Sequence, residues 1–326
     1  MYVRVLKDKV HNARPNSERR KSFDKTRLEV RMFNVGLGEA VLVSFPGGRA
    51  WLVEAGCNSS KRNKDLAREL LAYLKSNNLT LDTFVLSHAH SDHAGAVATI
   101  LTTPSSHVAS EVTIYRRDHH LWKSSKGWRN QLQGAIANAL MTVHVVEWNQ
   151  GQREVLISDD VSAHLFVGAG GSVYTSMYLQ LRFHQARLLF TGDTDCPYEK
   201  RLLDEFGDED FRADVLKVTH HGSSNGTAAK VIQSIQPGIA IASTGSDEDH
   251  TLELDTIARL GGLNGPRKIY ETLTAGDIIL RTDGGEYRQG ILYEVDFDEP
   301  GVFVKALRVS LIPAVKTNKP GEGCGN

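Results

Sequence analysis

The chain has 326 residues, and its 38 Lys and Arg residues nearly balance 39 Asp and Glu residues, so the formal net charge is -1. Such a chain lacks the overall electrostatic field that draws a protein to nucleic acid or to an acidic membrane, so any such attraction must be local. No apolar run reaches the roughly 20 residues of a membrane span, and the start lacks the apolar core of a secretory signal. These features predict a cytoplasmic protein.

Lys and Arg are concentrated in residues 1–27, where they outnumber Asp and Glu. This basic N-terminal tail either steers a polyanion or is simply solvated, and both interpretations stay open. We predict one domain over residues 28–312, because no repeat and no low-complexity linker divides it. Residues 313–326 are rich in Gly and Lys, which predicts a flexible C-terminal tail.

Alternating or continuous apolar runs predict the strands of this domain in chain order. In the first half they cover Leu28–Asn34, Ala40–Phe45, Ala50–Val53, Thr83–Leu86, Glu111–Tyr115 and Val143–Glu147. In the second half they cover Val161–Val167, Met177–Phe183, Arg187–Phe190, Val215–Val218 and Ile239–Ala242. Helices are predicted at Asp65–Lys75, around Leu132–Ala139 and at Tyr198–Phe206. Hairpins beside helical crossovers favour an α/β fold with mixed sheets over an all-parallel sheet.

The turn after the strand Thr83–Leu86 holds His88, His90, Asp92 and His93. Imidazole nitrogen together with carboxylate oxygen is a ligand mixture that suits Zn²⁺, with Mn²⁺ or Fe as alternatives. A single surface histidine is usually without function, but this spacing is not typical of a solvated loop. The loop therefore predicts metal ligands, enough of them to serve two neighbouring cations.

Two other predicted strands end in candidate ligands: Asp193, and the adjacent pair His220 and His221. Because ligand sites of α/β sheets gather where strand ends open into loops, we expect these groups to converge with the histidine loop. His164 lies further upstream in an apolar strand, which favours a core or surface histidine over a ligand.

The order and character of these motifs resemble the metallo-β-lactamase fold superfamily, whose HxHxDH loop matches residues 88–93. Other stretches resemble the metallo-hydrolase domain of the ComEC/Rec2 group of DNA-uptake proteins. They are Met32–Ala40, similar to DVGQGDA, Leu188–Asp193, similar to LLTGD, Leu216–Ser223, similar to LKVxHHGS, and Ile269–Ile278, similar to VYxT…GxI. The resemblance implies an αββα four-layer sandwich, in which helices flank two mixed β-sheets. We recognise no counterpart of the group's membrane-spanning portion, so we expect a free-standing soluble relative.

The resemblance also implies a role for each candidate ligand around two divalent cations, with Zn²⁺ favoured over Mn²⁺ or Fe. In these roles His88 and His90 bind the first cation, Asp92, His93 and His220 bind the second, Asp193 bridges both, and His221 faces the substrate. Glu54 stands where relatives commonly have Asp, and we expect it to orient the ligands rather than to bind metal.

The superfamily usually supplies a third histidine to the first cation from a strand upstream of the bridging carboxylate. Residues 174–178, which correspond to that position, contain no histidine. The ComEC-like branch also lacks it, so the resemblance implies a first cation with fewer protein ligands, either weakly bound or water-rich.

A pair of divalent cations lowers the pKa of a shared water and clamps the attacking and departing oxygens of a displacement. We therefore predict a metal-dependent hydrolase, and above all a phosphodiesterase or nuclease that uses a metal-bound hydroxide. Phosphate oxygens need hydrogen-bonding or cationic partners in the transition state. Accordingly, Ser223 and Ser224 are predicted to bind substrate, and Asp92, His221 and His250 to act in catalysis.

Residues 115–129 interleave cations with aromatics, a pattern found in grooves for single-stranded nucleic acid. A solvated helix with a few buried aromatics explains the same pattern equally well. The predicted partner is thus a phosphodiester substrate, with nucleic acid as one form of it, and no membrane. Two other functions stay open: hydrolysis of an ester, lactone or thioester at the same metal pair, and a catalytically silent metal-binding module.

Overall fold

The computed structural model describes residues 4–9, 24–88, 90–117, 126–148, 150–169, 175–245, 251–262, 265–266, 268–287 and 290–297. At residues 4–9, 126–129, 286–287 and 290–292 it describes the backbone alone. Its strands are β1 (Arg4–Lys9), β2 (Leu28–Met32), β3 (Gly38–Ser44), β4 (Arg49–Cys57), β5 (Thr80–Leu86), β6 (Val108–Arg117), β7 (Thr142–Trp148), β8 (Gly151–Ser158), β9 (Val161–Val167), β10 (Tyr178–Phe183), β11 (Ala186–Phe190), β12 (Val215–Lys217), β13 (Ile239–Ala242), β14 (Lys268–Glu271), β15 (Ile278–Thr282), β16 (Glu286–Tyr287) and β17 (Gly290–Phe297).

The helices are α1 (Ser60–Ser76), α2 (Ser91–Ala94), α3 (Val97–Thr102), α4 (Lys126–Ala137), α5 (Cys196–Phe206), α6 (Asp208–Phe211), α7 (Ala229–Ile235), α8 (Leu254–Leu260) and α9 (Thr272–Ala275). Two of them begin at side-chain caps that the sequence supplies. The Ser59 hydroxyl caps α1, and the Asp195 carboxylate accepts a hydrogen bond from the Tyr198 backbone N–H at the start of α5. The second cap fixes where the chain turns after β11.

The strands form two mixed sheets. The first has the order β1-β17-β15-β2-β3-β4-β5-β6-β7, with β16 paired to β17, and it is parallel from β4 through β7. The second has the order β14-β13-β12-β11-β10-β9-β8, antiparallel from β8 to β11 and parallel from β11 to β14. Parallel strands end at the same edge of a sheet, so each sheet gathers several strand ends into one group of loops.

Three hydrophobic layers hold these sheets and helices together. Apolar side chains of both sheets, among them Val53 and Leu188, pack on one another in the central layer. A second layer lies between the first sheet and helices α1, α3 and α4, and a third lies between the second sheet and helices α5, α6 and α7. The result is helix, sheet, sheet, helix, so the predicted αββα sandwich with mixed sheets is confirmed.

Six strands of the fold, β1, β8, β14, β15, β16 and β17, have no counterpart among the predicted strands. Strand β1 pairs with β17 in parallel, although the sequence indicated only a tail over residues 1–27. Strand β8 lies at one edge of the second sheet, where its alternating exposure reflects a strand covered on one side. The predicted domain limits at residues 28 and 312 stay predictions. No helix within the described ranges is long and apolar enough to cross a membrane.

Candidate metal centre

The candidate site lies where β5, β11 and β12 end, at the facing edges of the two sheets. The loop after β5 carries the HxHxDH residues of the first sheet. The loops after β11 and β12 carry Asp193 and the pair His220 and His221 of the second sheet. The predicted convergence of three separate strand ends therefore occurs.

In the HxHxDH loop, His90 directly precedes the short helix α2, which begins at Ser91 and in which His93 is buried. His88 and His90 lie beside each other, with 3.0 Å between His88 Nε2 and His90 Nδ1. His88 Nδ1 lies 3.0 Å from the Ser87 hydroxyl, which leaves Nε2 as the nitrogen that faces Asp193. This pair of nitrogens is close enough to serve one cation, as expected for the first metal site.

The turn after β11 depends on a glycine. Gly192 has φ +56°, and a Cβ at this position would lie 2.5 Å from the Ser87 hydroxyl and 2.6 Å from the Ser176 hydroxyl. The close approach lets the Asp193 backbone N–H donate to the Ser176 hydroxyl at 2.9 Å. It brings the Asp193 carboxylate to 2.9 Å from His93 Nε2, across the gap between the sheets.

The loop after β12 is a short 3₁₀ turn, Thr219–Gly222, in which two histidines have left-handed backbones. The φ angles are 50° at His220 and 54° at His221, a conformation that costs about 1–2 kcal/mol for a residue with a Cβ. Buried hydrogen bonds hold the turn: Thr219 donates its hydroxyl proton to Glu199, and His220 donates its N–H to the Gly192 carbonyl at 3.0 Å. Strain that the surroundings maintain in this way is typical of functional sites.

Four side chains form the compact centre of the site. One ligand atom from each of Asp92, His93, Asp193 and His221 lies within 4.8 Å of the other three. The set mixes imidazole nitrogens with carboxylate oxygens, which fits a divalent transition metal. In addition, Asp193 Oδ1 is buried and has no hydrogen-bond partner among the described residues, as expected of an oxygen that would bind a cation. The residues present therefore fit the metal site that the sequence predicts.

The charges of this centre are strongly coupled. Burial alone would raise the pKa of Asp193, but His93 and His221 hold that pKa well below its usual range. Burial alone would lower the pKa of His221, but the Asp193 and Asp92 carboxylates raise it to about 9. Burial and the neighbouring His93 instead push the pKa of His88 well below its usual value. A cation that binds here would displace the protons that these carboxylates attract to the histidines, because a metal-ligating imidazole is neutral.

Glu54 lies beside His93, and its predicted role in orienting the ligands stays a prediction. Its Oε1 accepts a hydrogen bond from the Ser87 backbone N–H at 2.9 Å, and its Oε2 lies 3.6 Å from His93 Nδ1. A carboxylate on the far nitrogen of a ligating histidine fixes the tautomer and the ring orientation. Glu54 has φ 59° at an irregularity in the β3–β4 pairing, which turns this longer acid toward the site.

Sequence reasoning gave no role to a second buried acid, Glu39, and its partner Lys217. Both side chains are about 1% exposed and form an ion pair between the sheets. Lys217 Nζ also donates to the Gly192 carbonyl at 3.2 Å, and Glu39 Oε2 lies 4.0 Å from His93 Nδ1. A lysine inside the apolar run of β12 was the available signal, because a charge in a buried strand needs a partner.

Several predicted residues lie elsewhere or are engaged differently. His164 contacts Glu154 and Ser162 on the second sheet rather than the metal centre, which agrees with a structural histidine. Ser223 lies at the site edge, but its hydroxyl donates to Glu253 at 3.0 Å. His250 lies outside the described residues. So do residues 118–125, the middle of the segment that interleaves cations with aromatics.

Ser224 follows Ser223 at the edge of the site, where its carbonyl accepts a hydrogen bond from Arg259 at 2.9 Å. Arg116, at the end of β6, is buried and pairs with Glu147 across β7 at 2.6 Å. Both residues thus have protein partners, and their predicted contacts with substrate stay predictions.

The structure places the two adjacent histidines differently from the expected roles. His221, expected to face the substrate, is 1% exposed and has Nε2 at 3.5 Å from Asp193 and 3.7 Å from Asp92. Its Nδ1 lies 3.1 Å from the Ser243 carbonyl. His220, expected to complete the second metal site, is 22% exposed and stands outside the compact group of four. The backbone is kinked at these two residues, with φ 50° and ψ 51° at His220 and φ 54° and ψ 10° at His221, and their side chains leave the turn in different directions.

Comparison with known proteins follows the same motifs. The model of the metallo-beta-lactamase superfamily matches residues 34–246. Recombination protein 2 of Haemophilus influenzae is 27% identical over 226 residues, which are 69% of this chain and 25% of that protein. ComE operon protein 3 of Bacillus subtilis is 25% identical over 235 residues, which are 67% of this chain and 28% of that protein. The chain thus spans about a quarter of the length of these curated relatives.

Solved structures resemble the chain at low sequence identity. The metallo-beta-lactamase fold protein YhfI from Bacillus subtilis is 13% identical, with a TM-score of 0.49 over 78% of this chain and 99% of that one. Unliganded yeast PDE1 is 10% identical, with a TM-score of 0.48 over 76% of this chain and 98% of that one. At these values the likeness carries no argument about activity. The family model, by contrast, matches residues 34–246, and the chain therefore belongs to the metallo-β-lactamase superfamily, whose members are generally metal-dependent hydrolases.

Proposed function

We propose that the protein is a metal-dependent phosphodiesterase that acts on nucleic acid or a nucleotide-like substrate. The observation that carries the proposal is the compact group of Asp92, His93, Asp193 and His221, built from both sheets. When bound there, divalent cations would supply a water of lowered pKa and positive charge for the departing oxygen. Zn²⁺ is the cation we propose, because imidazole and carboxylate ligands suit it, with Mn²⁺ and Fe as alternatives.

Support for the substrate class comes from the relatives. The names of two of them refer to recombination and to competence. Because this chain spans about a quarter of those proteins, their activity enters only as a proposal. A cytoplasmic location and a phosphodiester partner are parts of the same proposal.

The chain's own residues prepare the site in three ways. Glu54 orients His93, the Ser243 carbonyl orients His221, and Ser176 positions the backbone of Asp193. Burial of these groups removes water that would compete for the cation. We keep His250 as the proposed proton donor to the leaving group.

One observation favours hydrolysis of an ester, lactone or thioester instead. The Ser223 hydroxyl donates to Glu253, whose hydrogen bonds with Ser223 and Ser224 outweigh partial burial and lower its pKa. A carboxylate beside the expected phosphate contact opposes an anionic substrate, whereas a neutral acyl substrate tolerates it. This second candidate uses the same metal ligands.

The test presents one metal-loaded enzyme with both substrate classes. The purified protein, loaded with Zn²⁺ or Mn²⁺, is incubated with single-stranded DNA, double-stranded DNA, RNA, a chromogenic phosphodiester and a lactone. We expect hydrolysis of the phosphodiesters and a rate at least about 100-fold lower for Asp193→Ala, which lacks the bridging carboxylate. The control is His184→Ala, a partly exposed histidine outside the site.

Each alternative has its own result. Turnover of the lactone alone would assign the acyl activity, and turnover of no substrate by protein that retains its metal would indicate the silent module. Equal activity of Asp193→Ala and the wild type would exclude this site for any of the reactions.

A further inference from the structure

Four imidazole nitrogens surround a single carboxylate oxygen, Asp193 Oδ2. The distances are 2.9 Å to His93 Nε2, 3.5 Å to His221 Nε2, 3.8 Å to His88 Nε2 and 3.9 Å to His220 Nε2. His93 and His221 also each approach Asp92 Oδ2 to 3.7 Å. His93 and His221 form a compact group with Asp92 and Asp193. Within the described ranges, that group does not include His88 or His220.

This arrangement divides the ligands between two positions. Asp92, His93 and His221 complete one cation site with Asp193, so that site needs no further histidine. His88 and His90 remain for the other site, where the histidine usual in the superfamily is missing. Ser176 lies at that side instead, with its hydroxyl 3.5 Å from His88 Nδ1 and hydrogen-bonded to the Asp193 backbone.

The ring of His220 is oriented as metal-ligating histidines are. Its Nδ1 lies 2.8 Å from the Asn225 side-chain oxygen, which can only accept a hydrogen bond. The proton therefore lies on Nδ1, and the lone pair lies on Nε2, the nitrogen that faces Asp193. A hydrogen bond that fixes the tautomer in this way is the usual support of a ligating imidazole.

The backbone of the turn holds His220 in place at a conformational cost. Its left-handed conformation is kept by its N–H bond to the Gly192 carbonyl and by the Ser223 N–H bond to its own carbonyl at 2.8 Å. Both bonds connect His220 to loops of the metal centre. The position is thus fixed relative to Asp193 rather than set by solvent.

We infer that His220 is the third imidazole ligand of the first metal site and takes the place of the histidine missing upstream of Asp193. His221 then completes the second site. The inference rests on the metal centre of the proposed function but not on its substrate, so failure of phosphodiester hydrolysis would leave it intact.

The test measures metal binding rather than turnover. Metal-free protein is titrated with Co²⁺, and the visible absorption of the bound ion and its stoichiometry are recorded for each variant. We expect two ions per wild-type chain and a Kd for one of them raised at least 100-fold in His220→Ala. Asn225→Ala should raise the same Kd about 10-fold, as loss of a ligand's hydrogen-bond partner does.

Double variants identify which site is lost. His88→Ala/His220→Ala should keep one tight Co²⁺ ion, because both changes affect the same site, whereas His220→Ala/His221→Ala should keep none. The control His184→Ala should bind two ions with unchanged affinities, and circular dichroism checks that each variant is folded.

Three outcomes would overturn the inference: unchanged Co²⁺ binding in His220→Ala, one tight ion retained by His220→Ala/His221→Ala, or a wild-type protein that binds a single ion.

Discussion

The two sheets contribute to the metal centre in different ways. The first sheet supplies His88, His90, Asp92 and His93 from a single loop, so adjacent residues carry the whole arrangement. The second sheet supplies Asp193 and the 3₁₀ turn from separate loops, whose positions depend on hydrogen bonds with Ser176, Lys217 and Glu199. The half of the centre that the first sheet supplies is therefore encoded locally, whereas the half that the second sheet supplies is positioned by tertiary packing.

The largest loss of stability is expected from a change at Lys217, which lies in the half of the centre that the second sheet supplies. Lys217→Met leaves the Glu39 carboxylate buried without its ion-pair partner, which lowers the free energy of unfolding by about 3–5 kcal/mol. Urea denaturation of the metal-free protein measures the change. The double variant Glu39→Met/Lys217→Met should lose much less, because it buries no charge. A single variant as stable as the wild type would contradict the importance of this pair.

Gly192 tests the close approach between the loops. An alanine Cβ would collide with the Ser87 and Ser176 hydroxyls in a left-handed backbone, so Gly192→Ala should lower the free energy of unfolding by about 2–3 kcal/mol. Gly47→Ala is the control: Gly47 also has positive φ, 88°, with ψ -15°, but no atom lies within 4 Å of an added Cβ. The control should lose only about 1–2 kcal/mol. Equal losses in thermal or urea unfolding would mean that the contact is unimportant.

A change at Glu54 tests the half of the centre that the first sheet supplies. Glu54→Gln keeps the size of the side chain but removes the charge beside His93, so the affinity of the second metal site should fall about 10–100-fold. Isothermal titration with Zn²⁺ measures it. Glu253→Gln changes an acid at the site edge that contacts Ser223, and its metal affinity should match that of the wild type. If both variants bound Zn²⁺ equally well, Glu54 would not orient the ligands.

The smallest effect is expected for Asp214, which lies before β12 at the end of the strand away from the metal centre. Burial raises the pKa of Asp214 although the Arg187 N–H donates to its carboxylate. A raised pKa in the folded state means that stability is highest below the unfolded value near 3.9 and falls as pH rises through the folded value. Relative to Asp214→Asn, the wild type should therefore lose about 1 kcal/mol or less between pH 4 and pH 7.

Chemical denaturation at both pH values measures this difference. A wild type that gained stability over Asp214→Asn with rising pH would have the opposite sign and would contradict the burial of this carboxyl.

The same contrast explains how much the sequence could reveal. The α/β class with mixed sheets and the HxHxDH loop were predictable, because apolar runs and ligand spacing are local properties, whereas the four-layer sandwich was expected from the resemblance to the superfamily. The division of roles between His220 and His221 was not, because two identical neighbours differ only in the rotation of a left-handed 3₁₀ turn. Strand β1 was missed because its pairing with β17 is a long-range contact that a basic sequence does not indicate.

Among the described residues at this edge, the Ser243 hydroxyl donates to the Gly38 carbonyl at 2.7 Å across the gap between the two sheets. A cation held by Asp92 and His93 from the first sheet and by Asp193 and His221 from the second would connect the two sheets. Its binding would then oppose their separation, and each tenfold rise in free metal above the Kd would add about 1.4 kcal/mol to the stability of the whole fold. The concentration of free metal would thus change the free energy of unfolding of the chain.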